Sequence, residues 1–154
     1  MVIIGEKGLS GIVKRFLDLV FIGGLGILIS LPYSLRWYMS YIYRVESIEN
    51  FYFLLVFLYI TGIVCLILVN EVRKIFKTVN RKNPFMMDNV KSLNRIAVSS
   101  LLIAGAYVVK IFYYNSVLTA ILAMVFIIAG LFSLVLAEVF RQAVEYKEEN
   151  DLTI

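Results

Sequence analysis

The residues of this chain that could do acid–base, metal or charge chemistry are few, and they avoid its apolar stretches. Histidine is absent, which removes the commonest general base and metal ligand. One cysteine, Cys65, can build neither a thiolate metal site nor an intramolecular disulfide. It is expected to be a small buried packing residue. Glu145, Glu148, Glu149 and Asp151 could together hold a cation, although their spacing suits the solvated end of a helix better. Gly23-Gly24-x-Gly26 lies inside an apolar run with no strand before it, so it reads as helix packing and not as a phosphate loop. Asp18 can pair with Lys14 or Arg15 one turn away, and Lys110 can snorkel to an interface. No ionisable residue sits near the middle of an apolar run. That argues against a proton-driven carrier, though not against a passive hydrophobic pore. No catalytic pair is nominated, so neither an enzymatic activity nor a cofactor is expected.

Two polar segments remain. The first holds Arg73, Lys74, Lys77, Arg81, Lys82, Lys91 and Arg95 around Asn83-Pro84-Phe85. Asn-Pro favours a turn and should end a helix there; Asp88 is the expected N-cap of the next one. Cations beside a membrane also attract anionic lipid. The second segment is residues 138–154, where Leu136, Phe140, Ala143 and Val144 continue an apolar stripe. Glu138–Arg141 and Arg141–Glu145 are helical ion pairs there. Asn150 is expected to stop the helix, leaving Leu152 and Ile154 on one face of a short extended end. These two segments supply the candidate interaction residues: Arg73, Lys74, Lys77, Arg81, Lys82, Pro84, Phe85, Glu148, Glu149, Asn150, Asp151, Leu152 and Ile154.

The elements that must carry them follow from hydropathy. Hydrophobic residues make up 61% of the 154 and charged ones 17%, against about 25% charged in soluble domains. Residues 51–69 and 117–137 carry no charge, and 16–35 and 96–109 come close. Runs of roughly 17–25 apolar residues match the bilayer core, where a helix satisfies its own backbone. An all-α membrane protein follows: one domain over residues 1–154, a four-transmembrane-helix bundle with helices at about 14–37, 51–78, 89–114 and 117–149. The first apolar run is longer than a signal-peptide core and lacks a cleavage site, so it is expected to be retained.

Orientation comes from Lys and Arg. Lys7, Lys14 and Arg15, the seven cations from Arg73 to Arg95, and Arg141 and Lys147 fall on one side; only Arg36, Arg44 and Lys110 fall on the other. Excess positive charge stays inside, so both termini and the central loop are expected to be cytoplasmic in a multi-pass protein. Tyr33, Trp37, Tyr38, Tyr41, Tyr43, Tyr52, Tyr113 and Tyr114 gather at the opposite ends, as an interfacial aromatic belt would.

Small residues let membrane helices approach. Gly26, Ser30 and Ser34 form such a stripe on the first helix, beside Gly23. Ser100 and Ala104, next to Gly105, do so on the third, and Ala129, Ser133 and Ala137 on the fourth. A homo-oligomer face would present the same spacing. Pro32 is expected to kink the first helix locally.

The Asn83-Pro84-Phe85 turn followed by Asn89-Val90-x-x-Leu93-x-x-Ile96, together with Val139-Phe140-Arg141-Gln142-Ala143 leading to Glu148-Glu149-Asn150-Asp151-Leu152-Thr153-Ile154, resembles the YoaS-like family of small bacterial membrane proteins. The resemblance runs over the whole chain. The family's function is unknown, so it implies no catalytic residue. It does imply a bacterial cytoplasmic membrane and, by association, a cytoplasmic helix-turn-helix regulator as partner. Taken together, the expected function is a non-enzymatic regulatory or interaction protein. It would display the basic loop and acidic tail to a soluble partner, with membrane lipids around it and no direct nucleic-acid binding. The alternative is a small oligomeric transporter or pore component for hydrophobic or cationic compounds.

Overall fold

The computed structural model describes residues 8–43, 48–114 and 116–152. All regular structure among them is helical: α1 (Leu9–Tyr38), a single π-helical turn (Met39–Tyr43), α2 (Ile48–Asn80), α3 (Met87–Tyr113) and α4 (Val117–Leu152). Three helices contain stretches long and apolar enough to cross a membrane: Asn50–Asn80, Met87–Tyr113 and Val117–Asn150. The N-terminal helix α1 is not among these three. It is 30 residues long and continues through Pro32.

Consecutive helices pack antiparallel, α1 on α2, α2 on α3, and α3 most extensively on α4. The α3–α4 seam is built from small residues. Ala97 and Ser100 are fully buried, with Ala104, Ala123, Ser133 and Ala137 nearly so. A methyl group added at Gly130 would stand 2.8 Å from Leu101 Cγ and 3.3 Å from the Ala97 carbonyl oxygen, so only glycine permits this approach. On α1 the expected stripe is wrong by register. Gly26, Ser30 and Ser34 are exposed, whereas Gly24 meets Leu66 and Leu28 fills the space over Gly62. Cys65 is exposed rather than buried.

A buried apolar cluster forms from Val90, Leu93 and Ala137, with Ile75, Leu136 and Phe140 packed on it. It lies at the charged end of α2, α3 and α4, not at mid-helix. Elsewhere large apolar side chains such as Ile29, Val56, Leu102 and Phe132 face outward, as lipid contact requires. At the other end Trp37 stacks on Tyr41, Phe53 lies against Tyr113 and Tyr114, and the Tyr114 hydroxyl donates to Asn50 Oδ1.

α2 ends before the Asn-Pro dipeptide. The Asn83 N–H bonds the Thr78 carbonyl at 3.2 Å and the Lys82 N–H that of Val79 at 3.0 Å, with Lys82 at φ 58°. That is a Schellman motif with lysine at the left-handed position where glycine is usual. α3 starts two residues earlier than expected. Its N-cap is Met86, which gives no side-chain cap, and Asp88 lies in the first turn. α4 runs on through Asn150, which keeps a right-handed backbone. The expected stop at Asn150 is therefore corrected, as is the extended backbone expected at Leu152; Thr153 and Ile154 lie outside the described residues.

Candidate functional site

Apart from the Tyr114–Asn50 bond at the other end, the polar side chains that link α2 to α3 collect where α2 leaves its apolar stretch. Glu71 is the centre. Only 3% exposed, it accepts from Ser92 Oγ at 2.7 Å, from Lys74 Nζ at 2.6 Å and from Arg95 Nη1 at 3.4 Å. A buried carboxylate must find such partners or lose its hydration uncompensated. One turn further out, Asn89, 1% exposed, donates through Nδ2 to Thr78 Oγ1 at 2.7 Å and to the Pro84 carbonyl at 2.5 Å. The Thr78 hydroxyl in turn donates to the Ile75 carbonyl at 2.7 Å. Asn89 therefore clasps the end of α2, the connector and the start of α3.

Outside this floor lies an open cavity of about 710 Å³. Lys74, Lys77 and Arg81 wall it from α2 and its end, Lys91 and Arg95 from α3, with Asp88 the one carboxylate on the lining. The spacing 74, 77, 81 keeps one helical face, and 91, 95 another. Lys91 stands 3.8 Å from Asp88, and Lys74 and Arg95 share Glu71.

The candidate residues therefore separate. Lys74, Lys77 and Arg81 come together on the cavity. Arg73 does not: it pairs with Asp18 at 2.6 Å and covers the Phe21 ring at 4.5 Å, fastening α1 to α2. That also corrects the pairing expected of Asp18 with Lys14 or Arg15, because helix packing brings an arginine of another helix closer than its own neighbours. Lys82 makes the turn, and Pro84 supplies the carbonyl for Asn89. Phe85 lies against Phe140 of α4, ring centroids 5.5 Å apart.

The connector meets α4 through this aromatic pair and through Lys147 Nζ donating to Asn83 Oδ1 at 3.1 Å. A second, smaller cavity of about 340 Å³ opens there between Phe85, Asp88, Val144, Lys147 and Glu148. Glu149 and Asn150 are exposed on α4. The backbone of Asp151 and Leu152 is helical, but their side chains, like Ile154, lie outside the described residues. Among the described residues, no three acidic or cysteine side chains converge as a metal site would require. The helical pairs Arg141–Glu138 at 2.7 Å and Arg141–Glu145 at 4.0 Å form as expected.

Sequence reasoning missed Glu71, Ser92, Thr78 and Asn89. Their signal was present: an acidic residue directly after a charge-free run, followed one helix later by small polar residues at the matching depth.

No curated protein and no solved structure matches the chain. The model of the family described as "Protein of unknown function (DUF2975)" matches residues 34–154. That match takes in the connector, the Glu71 cluster, the basic cavity and the whole α3–α4 seam, and the chain belongs to this uncharacterised family.

Proposed function

We propose that this is a non-enzymatic regulatory or interaction protein of the bacterial cytoplasmic membrane, in which α1 crosses as a fourth span, so that both ends and the 81–86 connector are cytoplasmic. It presents the connector and α4 extension to a soluble partner. The observation that supports the reading is the location of polar tertiary contacts. The Glu71 cluster, the Asn89 clasp and the Asn83–Lys147 bond all lie at one end and rigidify a surface there. The orientation rests on the distribution of Lys and Arg. The narrower YoaS-like assignment rests on the Asn83-Pro84-Phe85 and Glu148–Ile154 motifs, and with it comes a small helix-turn-helix regulator as the partner.

A second reading, a transporter or pore component for hydrophobic compounds, draws on an apolar cavity of about 310 Å³ lined by Gly24, Leu28, Leu58, Cys65 and Phe126. Thr61 on its lining is satisfied by the Phe57 carbonyl at 2.8 Å, Tyr107 adds a phenol, and no charged side chain lines the cavity to recognise a cationic cargo. The regulatory reading therefore leads.

The test is affinity capture from detergent with the full chain and with a truncation after Lys147. The full chain should retain a soluble partner, and the truncation should lose it while still inserting and folding. Equal capture by both proteins removes the tail from the mechanism and favours the transporter reading.

A further inference from the structure

We propose that the cavity between the end of α2 and the start of α3 is a binding site for an anion carrying two or more phosphate groups. Five cations line it: Lys74, Lys77, Arg81, Lys91 and Arg95. The carboxylates in or behind its wall are Asp88 and Glu71, paired with Lys91 and with Lys74 and Arg95. That leaves Lys77 and Arg81 without an ion pair among the described residues. A bias of Lys and Arg across a membrane requires only their number in a connector. It does not require cations of two helices to converge on one cavity.

The site is also built to stay open. Its floor holds Thr78, Asn89 and Ser92, each committed to an internal hydrogen bond, so the cations stand on fixed backbone. α3 begins at the rim without a side-chain cap. The positive end of its dipole adds to the field, as at other phosphate sites. Lysine offers point charges and arginine a planar fork, and phosphate oxygens accept from both.

Depth decides the sources. The charge-free run of α2 ends at Asn70, so Lys74 stands about one helical turn beyond the apolar core and Arg81 about 10 Å further out. A diphosphorylated lipid headgroup and a soluble polyphosphate can both reach the cavity.

The experiment uses the full chain in neutral detergent and requires no protein partner. Inorganic tripolyphosphate is titrated by calorimetry, and diphosphatidylglycerol adducts are counted by native mass spectrometry. The variant is K77Q/R81Q; the control is K14Q/R15Q, which removes the same charge on α1 outside the cavity. Saturable tripolyphosphate binding, weakened about tenfold or more in K77Q/R81Q and less than twofold in the control, supports a site open to soluble ligands. The same pattern in lipid adducts alone supports a headgroup site. The single variant K77Q, expected to weaken binding severalfold, serves if the double variant loses its helical circular dichroism. No saturable binding of either anion, or equal weakening by both double variants, overturns the proposal.

Discussion

Ser92 on α3 donates its hydroxyl to Glu71 on α2 across 2.7 Å, joining two helices through a carboxylate that is almost wholly enclosed. A hydrogen bond to a buried charge is worth about 1.5–3 kcal/mol, and a lost partner leaves the rest of the cluster uncompensated. Glu71→Ala should therefore cost about 2–3 kcal/mol. Lys74 and Arg95 are half-exposed, so their share is discounted for solvent. Glu71→Gln keeps the Ser92 bond and should cost less. Glu138→Gln, on the exposed face of α4, should leave the melt unchanged. Thermal unfolding in detergent ranks the three; equal melting temperatures would show that Glu71 links nothing.

Glycine substitutions should separate by contact and not by motif. Gly130→Ala drives a methyl group into Leu101 and towards the Ala97 carbonyl, and should destabilise by about 1–3 kcal/mol. Gly24→Ala meets only the tip of Leu66, a side chain that can rotate away, and should cost less. Gly26→Ala meets nothing within 4 Å and should be neutral or stabilising by up to about 1 kcal/mol, the helix propensity gained. Detergent melts of the three variants check the order.

Lys82 occupies the left-handed region, which costs a side chain about 1–2 kcal/mol. Lys82→Gly should raise stability by up to about 1 kcal/mol, and Lys82→Val should lower it, because branching at Cβ worsens the same clash. Chemical denaturation of both variants gives the sign.

Phe85 and Asn83 hold the connector to α4. Phe85→Ala combined with Asn83→Ala should expose Arg81 and Lys82 to trypsin and speed cleavage there severalfold, without changing cleavage after Arg141. Unchanged peptide yields would show that the connector is held by its own turn alone.

Reporter fusions test orientation. A reporter after Ile154 or within residues 81–86 should remain cytoplasmic, and one at Ser47 should be exported. The opposite pattern overturns the side on which the partner is proposed to bind.

The helices were legible because length and hydropathy are local properties: residues 51–69 and 117–137 announce themselves. The break between α2 and α3 was legible too, although Lys82 and not Pro84 performs it. What stayed hidden depends on helix rotation. Gly26, Ser30 and Ser34 have the spacing of a packing stripe, yet Gly24 takes the contact, because the partner helix sets the register. Asp18 lies beside local cations but meets Arg73 from far along the chain. Of the site, the cations were visible as a run. Their convergence on one cavity was not, since it required α2 and α3 to be aligned by Glu71 and Asn89.

The Asn89 clasp has a mechanical consequence. One amide nitrogen grips Thr78 on α2 and the Pro84 carbonyl while its own backbone belongs to α3. Sliding or twisting of either helix alone would have to break these bonds inside an enclosed space. A push on the connector is therefore borne by α2 and α3 as one lever. Through the α3–α4 seam and the Asp18–Arg73 fastening, it reaches the two outer helices without any of the four having to bend.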